Sequence, residues 1–389
     1  MPWRLWGTTT AIAGGLLLVL ANTAPSDALS AAPAAAATPT PTSIPTPTPS
    51  PTAVATSSPT PIPSSTPTPT PTGTSPAELV YVANADSGPV TAYSPGSSGA
   101  VTPVRTVSNP QNSNTVWIPW GVTFDNYGNL YVQTFLSDAT TFVFPPGATA
   151  TTPPSRIFQA DAPDNRSVAI DAHGYEYVAG GQAGWTIAVE PPGASGVPGS
   201  LYHVPPLRTI TLNDGFIPWP SILTTDNQNE VIGAVTGTQA NAIEVFTGGA
   251  TGGSTPVRTI SGPATGLGAC GSPCAELSIA YSPSTGRIYV AVSDGASTRI
   301  NVFAGNASGD AQPIQTIEGP ATGLAGNVIT GLAVSRSTGT IYAMVKSSQF
   351  GAGQVNAYAS LAQGNAAPLH SFTDAGSAFT DAAGIAISR

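Results

Sequence analysis

Apolar residues along this chain gather in short runs rich in Val, Ile and Tyr, separated by Gly, Pro, Asp and Ser. The runs "LVYVAN", "LYVQT", "YEYVAG", "VIGAV", "IYVAV" and "IYAMV" read as short β-strands. Tyr81, Tyr131, Tyr177, Ile232, Tyr289 and Tyr342 hold equivalent places in them, about every 46 to 57 residues. A second set precedes or follows these runs: "GVTFD", "SVAID", "SILTTD", "LSIAYS", "GLAVS" and "GIAIS". Turn signals such as "DNYGN", "DAHGY" and "SPSTGR" link the two sets, with Asp and Gly where tight turns need them.

A third periodicity fixes the unit. An aromatic residue is followed ten positions later by Pro in Tyr93/Pro103, Phe144/Pro154, Phe246/Pro256, Phe303/Pro313 and Tyr358/Pro368. A sixth copy, Val189 to Pro206, carries an insertion. Each unit therefore holds four strands: a ("GVTF"), b ("LYV"), c ("TTFVF") and d ("PSRIF"). Four short antiparallel strands repeating at this period predict an all-β, six-bladed β-propeller, because one such sheet cannot cover both of its faces alone. The repeat region opens with a strand b and closes with a strand a. Joining the two completes a sixth blade and latches the ring. Strand a, made of small and aliphatic residues, is expected at the axis. Strand d is expected outermost, its leading Pro and the polar Arg105, Arg156, Arg208, Arg258, Gln315 and His370 guarding an open edge.

The pattern changes before Glu78. Arg4 and the apolar "AIAGGLLLVL" at 11–20 read as an export signal over residues 1–30, or as an N-terminal anchor if uncleaved. The apolar run is about half of the ~20 residues a membrane span needs. Residues 31–77 alternate Thr and Pro, which fixes φ and removes backbone donors. They predict an extended, semi-rigid stalk carrying the 78–389 propeller outside the cytoplasm, secreted or at the cell surface.

Composition narrows the chemistry. Charged residues are 8%, and the net charge is −9 with only 11 Lys+Arg. A basic footprint for nucleic acid is missing, and membrane contact by the propeller is not expected. The three His fall in a turn (His173), an insertion (His203) and an outer strand (His370), which no blade geometry brings together. The inner strands offer Thr123, Ser167, Thr224, Ser278, Ala333 and Ala386, with no Glu. No catalytic residue, no metal ligand set and no cofactor is therefore assigned. A divalent cation would have to recruit Asp125, Asp171 or Asp226, which read better as turn caps.

The long loops suggest a ligand face instead. Loops d-to-a and b-to-c share one rim, and ten of the 20 acidic residues map there, among them Asp86, Asp138, Asp214, Asp294 and Asp374. Two aromatic strings enter the same rim, "VWIPW" with Trp117 and Trp120, and "GFIPW" with Phe216 and Trp219. Such rings stack on sugars or grip peptides, but equally close a core. Trp117, Trp120, Phe216, Trp219, Asp86, Asp138, Asp214 and Asp294 are the candidate ligand-binding set. Cys270 and Cys274, the only cysteines, read as one disulfide pinning a long loop in an exported chain.

"YVANADSGPVTAYSP" resembles the YVTN-type propeller repeat, and "WGVTFDNYGNLYVQT" and "GLAVSRSTGTIYAMV" resemble NHL repeats. The resemblance covers 78–389 and implies a propeller of the kind found in extracellular bacterial surface and interaction proteins. The expected function is a non-enzymatic, monomeric binding or scaffold module for a surface glycan, peptide or protein. The alternative is a metal-dependent extracellular lactonase-like hydrolase or lyase.

Overall fold

The structure, a computed structural model, describes residues 77–85, 88–108, 117–134, 140–160, 167–180, 186–196, 203–212, 215–216, 223–237, 241–268, 276–294, 297–348, 351–377, 379–380 and 382–389. It is a ring of six antiparallel blades, each built on four strands. Blade 1 holds b Val80–Asn84, c Val90–Tyr93 and d Arg105–Val107, completed by a, Ala382–Ile387. Blade 2 runs Pro119–Phe124, Leu130–Thr134, Thr140–Phe144, Arg156–Ala160. Blade 3 runs Ser167–Ile170, Glu176–Gly180, Thr186–Glu190, Arg208–Thr211. Blade 4 runs Leu223–Thr225, Val231–Gly237, Asn241–Phe246, Arg258–Ile260. Blades 5 and 6 run Glu276–Ser282, Arg287–Ser293, Thr298–Ala304, Gln315–Ile317 and Val328–Val334, Ile341–Lys346, Gly353–Tyr358, His370–Asp374.

The ring closes as the strand order requires. Val80, Tyr81 and Val82 pair antiparallel with Ile387, Ala386 and Ile385. Glu78 reinforces this seam. Its carboxylate accepts hydrogen bonds from Ser335 Oγ (2.6 Å), Arg336 N (3.0 Å), Ser337 N (3.1 Å) and Ser337 Oγ (2.9 Å) in the a-to-b turn of blade 6. Tyr93 Oη donates to Asp374 Oδ2 (2.6 Å), so an acid expected on the ligand rim instead ties blade 1 to blade 6. Burial alone would raise the Asp374 pKa, but the bonds from Tyr93, Ser377 N and Gly376 N outweigh it and hold the carboxyl below its ordinary range.

The outer strands correct one expectation. Their leading polar side chains are not edge guards. Five of the six reach a carbonyl in the c-to-d turn of the next blade: Arg156 to Ala194 O (2.6 Å), Arg208 to Gly248 O, Arg258 to Gly305 O (2.5 Å), Gln315 to Ala362 O (2.6 Å), and His370 Nδ1 to Ser97 O (2.8 Å), whereas Arg105 donates to Tyr81 Oη (2.9 Å) of its own blade. The same turns also cover the edge with backbone. Gly196, Gly252, Gly309 and Gly364 donate N–H to Ile157, Thr209, Thr259 and Thr316 of the preceding blade at 2.6–2.8 Å. Gly99–Val101 runs parallel to Phe372–Asp374, and the blade-3 insertion adds His203–Val204 parallel to Gln159–Ala160.

This bridge has a sequence signature. The bridging residue stands six positions after the c-strand aromatic, and Gly99, Gly252, Gly309 and Gly364 hold it with φ between +57 and +74°. A side chain there would be strained. Blade 2 has Ala150 at this place. Its turn makes no such bridge to blade 1 among the described residues.

Candidate functional site

Strand a of every blade lines an axial cavity of about 350 Å³. The walls are mostly small and aliphatic residues, Val122, Ala169, Ile279, Ala333 and Ala386 among them. Crowding explains this composition. A Cβ on Gly384 would lie 2.6 Å from Trp120 O, and one on Gly331 would lie 2.9 Å from Ile385 Cγ2.

The acids closing three of the inner strands are committed to their turns. Asp125 Oδ1 accepts from Tyr127 N and Asn129 N, both at 2.9 Å, and Oδ2 accepts from Asn129 Nδ2 at 2.7 Å. Asp171 Oδ1 accepts from His173 N and Tyr175 N, both at 2.9 Å, and Oδ2 from Tyr177 Oη at 3.1 Å. Asp226 repeats the pattern with Gln228 N (2.9 Å) and Glu230 N (2.8 Å). The turn "DNQNE" has lost its Gly, and Asn229 takes the left-handed conformation in its place, with φ of 60°. In blades 5, 6 and 1 the capping position passes to Ser282, Ser335 and Ser388. Ser388 Oγ accepts from Leu79 N (2.8 Å), closing across the chain ends the turn that blade 1 lacks.

Of the ligand-binding candidates, Trp117 and Trp120 fall in the core. Trp117 is 5% exposed. Its ring meets Phe142 and Phe144 edge-on at 5.3 and 6.2 Å, and its Nε1 donates to Gly88 O at 2.8 Å. It fills the space between blades 1 and 2, where the outer turn bridge is missing. Trp120 is 7% exposed and occupies a bulge of strand a, between Pro119 and Gly121. Their apolar area favours burial of both rings, and Trp117 meets the cost of burying its N–H at Gly88 O.

Asp294 serves its own loop. Oδ1 accepts from Ser297 N (2.8 Å), and Oδ2 accepts from Arg299 Nη1 (2.9 Å). Arg299 in turn donates to Gly266 O, joining the b-to-c loop to the loop entering blade 5. Phe216 is placed by its backbone, which pairs with Thr236. Asp86, Asp138, Asp214, Trp219, Cys270 and Cys274 lie outside the described residues.

A buried acidic site escaped the sequence reading. Strand pairing places Val80 opposite Tyr93, Leu130 opposite Phe144, Val231 opposite Phe246, Ile288 opposite Phe303 and Ile341 opposite Tyr358. In blade 3 this slot holds Glu176 opposite Glu190, both 0% exposed. The unit therefore aligns on Glu190, not on Val189. Glu176 pairs with Arg156 of blade 2 at 2.9 Å and accepts from Tyr131 Oη at 3.3 Å. Burial nevertheless outweighs both partners and pushes its pKa up to about 7. The signal was present as "VEPPG", where other units read "VFPPG" or "VFTGG".

No protein-family model and no curated protein matches the chain. Solved structures do. A Bacteroides caccae protein of unknown function is similar at TM-score 0.53 and 10% identity, covering 80% of this chain and 99% of its own. The Pseudomonas aeruginosa periplasmic gluconolactonase PpgL is similar at TM-score 0.44 and 14% identity, covering 72% and 78%. The propeller domain of Myceliophteria thermophila Cps50 (Swd1) is similar at 0.39 and 14%, covering 64% and 68%. At these identities the shared property is the fold, and the chain is a six-bladed β-propeller.

Proposed function

We propose that this chain is a non-catalytic binding or scaffold propeller, exported and displayed on its Thr/Pro stalk. Its ligand, a surface glycan, peptide or protein, meets the face that gathers the long d-to-a and b-to-c loops. One observation carries the reading. The carboxylates nearest the axis, Asp125, Asp171 and Asp226, are each bound by two backbone N–H groups of their own turn. An aspartate spent on a turn is a poor start for a hydrolytic metal centre, which needs convergent oxygen or nitrogen donors and an open position. The remaining inner-strand lining offers hydroxyls and aliphatic side chains, with no general base among them.

The long-loop face keeps Asp86, Asp138 and Asp214 as its acidic candidates, with Phe216 and Trp219 as its aromatic ones. Loops of variable length on a rigid ring suit recognition. Glycan and peptide arrays probed with the full chain test the proposal. Saturable binding that weakens at least tenfold in an Asp86→Asn/Asp214→Asn variant, with unfolding midpoint unchanged, supports it. Absence of binding on both arrays overturns the binding reading and leaves the structural scaffold.

A further inference from the structure

The opposite end of the axial cavity carries two arginines that the fold leaves only partly compensated. Five other arginines are engaged within or between blades: Arg156 with Glu176, Arg258 with Glu230, Arg299 with Asp294, Arg105 with Tyr81 Oη, and Arg208 with Gly248 O. Arg336 follows strand a of blade 6, and Arg389 follows strand a of blade 1, so adjacent blades bring them to the same mouth. Both line the cavity. Neither guanidinium has a hydrogen bond or ion pair among the described residues. The Nε of Arg389 is buried without a partner.

The neighbouring acids offset them only in part: the charges of Glu78 and Asp125 favour the protonated Arg336 and Arg389, but neither carboxylate forms an ion pair with them among the described residues. Glu78 spends its carboxylate on four donors of the blade 6 turn, and Asp125 spends its own on the blade 2 turn. The cost is visible on the arginines. Burial, then the charge of Arg336, pushes the Arg389 pKa down to about 10, and burial lowers Arg336. Two like charges held together at a cavity mouth, with a buried donor unused, form an incomplete site. An oxyanion completes it, since guanidinium forks match planar and tetrahedral oxygens.

We propose that Arg336 and Arg389 form a small-oxyanion site at the a-to-b mouth of the axial cavity, taking the carboxylate, sulfate or phosphate of a compact ligand. A cavity of about 350 Å³ is at the small end of ligand pockets, enough for an inorganic anion or one acidic sugar ring. The site lies across the ring from the long-loop face, so it stands or falls independently of the function proposed above.

The test compares the full wild-type chain with Arg336→Gln, Arg389→Gln and the double variant. Thermal midpoints are measured in chloride, sulfate, phosphate and glucuronate at equal ionic strength. Sulfate and phosphate stabilise most proteins by exclusion, so the readout is the difference between wild type and variants. At about ten times its Kd, a bound anion raises the wild-type midpoint by about 2–4 °C beyond that seen in the double variant. A shift with sulfate or phosphate identifies a general oxyanion site, and a shift with glucuronate alone identifies an acidic-sugar site. Equal shifts in wild type and double variant for every anion overturn the proposal. Titration calorimetry adds an independent check, with affinity falling at least tenfold in each single variant. Both residues reach solvent beyond the strand ladders, and an unchanged chloride midpoint confirms that the variants fold.

Discussion

Replacing Glu176 by Gln isolates the cost of a carboxyl in an apolar slot. In five blades this slot pairs an aliphatic residue with an aromatic one, and here it pairs two glutamates at 0% exposure. Burial raises the Glu176 pKa from 4.5 to about 7 despite the Arg156 contact at 2.9 Å. The folded state therefore holds a proton that the unfolded state releases between those two values. Stability from this group is fully present below pH 4.5 and is lost as pH rises through 7. A unit of pKa is about 1.4 kcal/mol, so ionisation costs the fold roughly 3 kcal/mol by pH 8. Gln keeps the shape and removes the titration, and its Oε1 still accepts from Arg156. Urea unfolding of wild type and Glu176→Gln from pH 4.5 to 8.5 measures the difference. The two should be nearly equal at pH 4.5, and the variant should be the more stable by roughly 3 kcal/mol at pH 8. Parallel curves across the whole range would refute the reasoning.

Other seams give sharper mechanical readouts. Trp117→Ala removes the plug between blades 1 and 2 and should cost about 3–5 kcal/mol by chemical denaturation, with Trp117→Phe milder because the packing largely survives. Gly309→Ala forces a side chain to φ of 65° and should cost more than about 1 kcal/mol by the same assay. Ala150→Gly, at the corresponding place in the one turn without a bridge, should change stability by less. Glu78→Ala frees four donors of the blade 6 turn and weakens ring closure. Hydrogen exchange should then rise in 80–84 and 382–387 before other strands, and uniform exchange across the blades would speak against a local seam. Asp374 adds an acid limb at the same seam. Its lowered pKa means that its contribution is present above the unfolded value of 3.8 and is lost as pH falls below it. Asp374→Asn should blunt the loss of stability on acidification.

The repeat was legible because strand periodicity and turn chemistry are local properties. Val, Ile and Tyr runs, Asp-Gly turns and the aromatic-to-Pro spacing placed strands a to d in order, and the open ends gave ring closure. Blade-to-blade chemistry was not legible, because it depends on which residues face each other across a seam. Arg156 and His370 looked like edge guards in sequence and prove to be ties to Ala194 and Ser97. The Gly six places after four of the five c-strand aromatics was in plain view, yet its meaning needed the neighbouring strand. Trp117 and Trp120 looked like a clamp because two tryptophans stood close in a chain of small residues, and burial places them in the core. Glu190 was hidden by one residue of register, since the insertion after it blurred the alignment. Arg336 and Arg389 lie 53 residues apart in sequence, and only the closing of blade 1 by the last strand makes them neighbours.

The claim that this propeller binds and does not catalyse meets its most direct test in one measurement. The purified full chain is analysed for divalent metal and assayed for lactone and ester hydrolysis before and after chelation. A binding propeller holds no stoichiometric metal and shows no turnover in either state. A divalent ion bound one to one, whose removal abolishes hydrolysis and whose return restores it, would contradict the account.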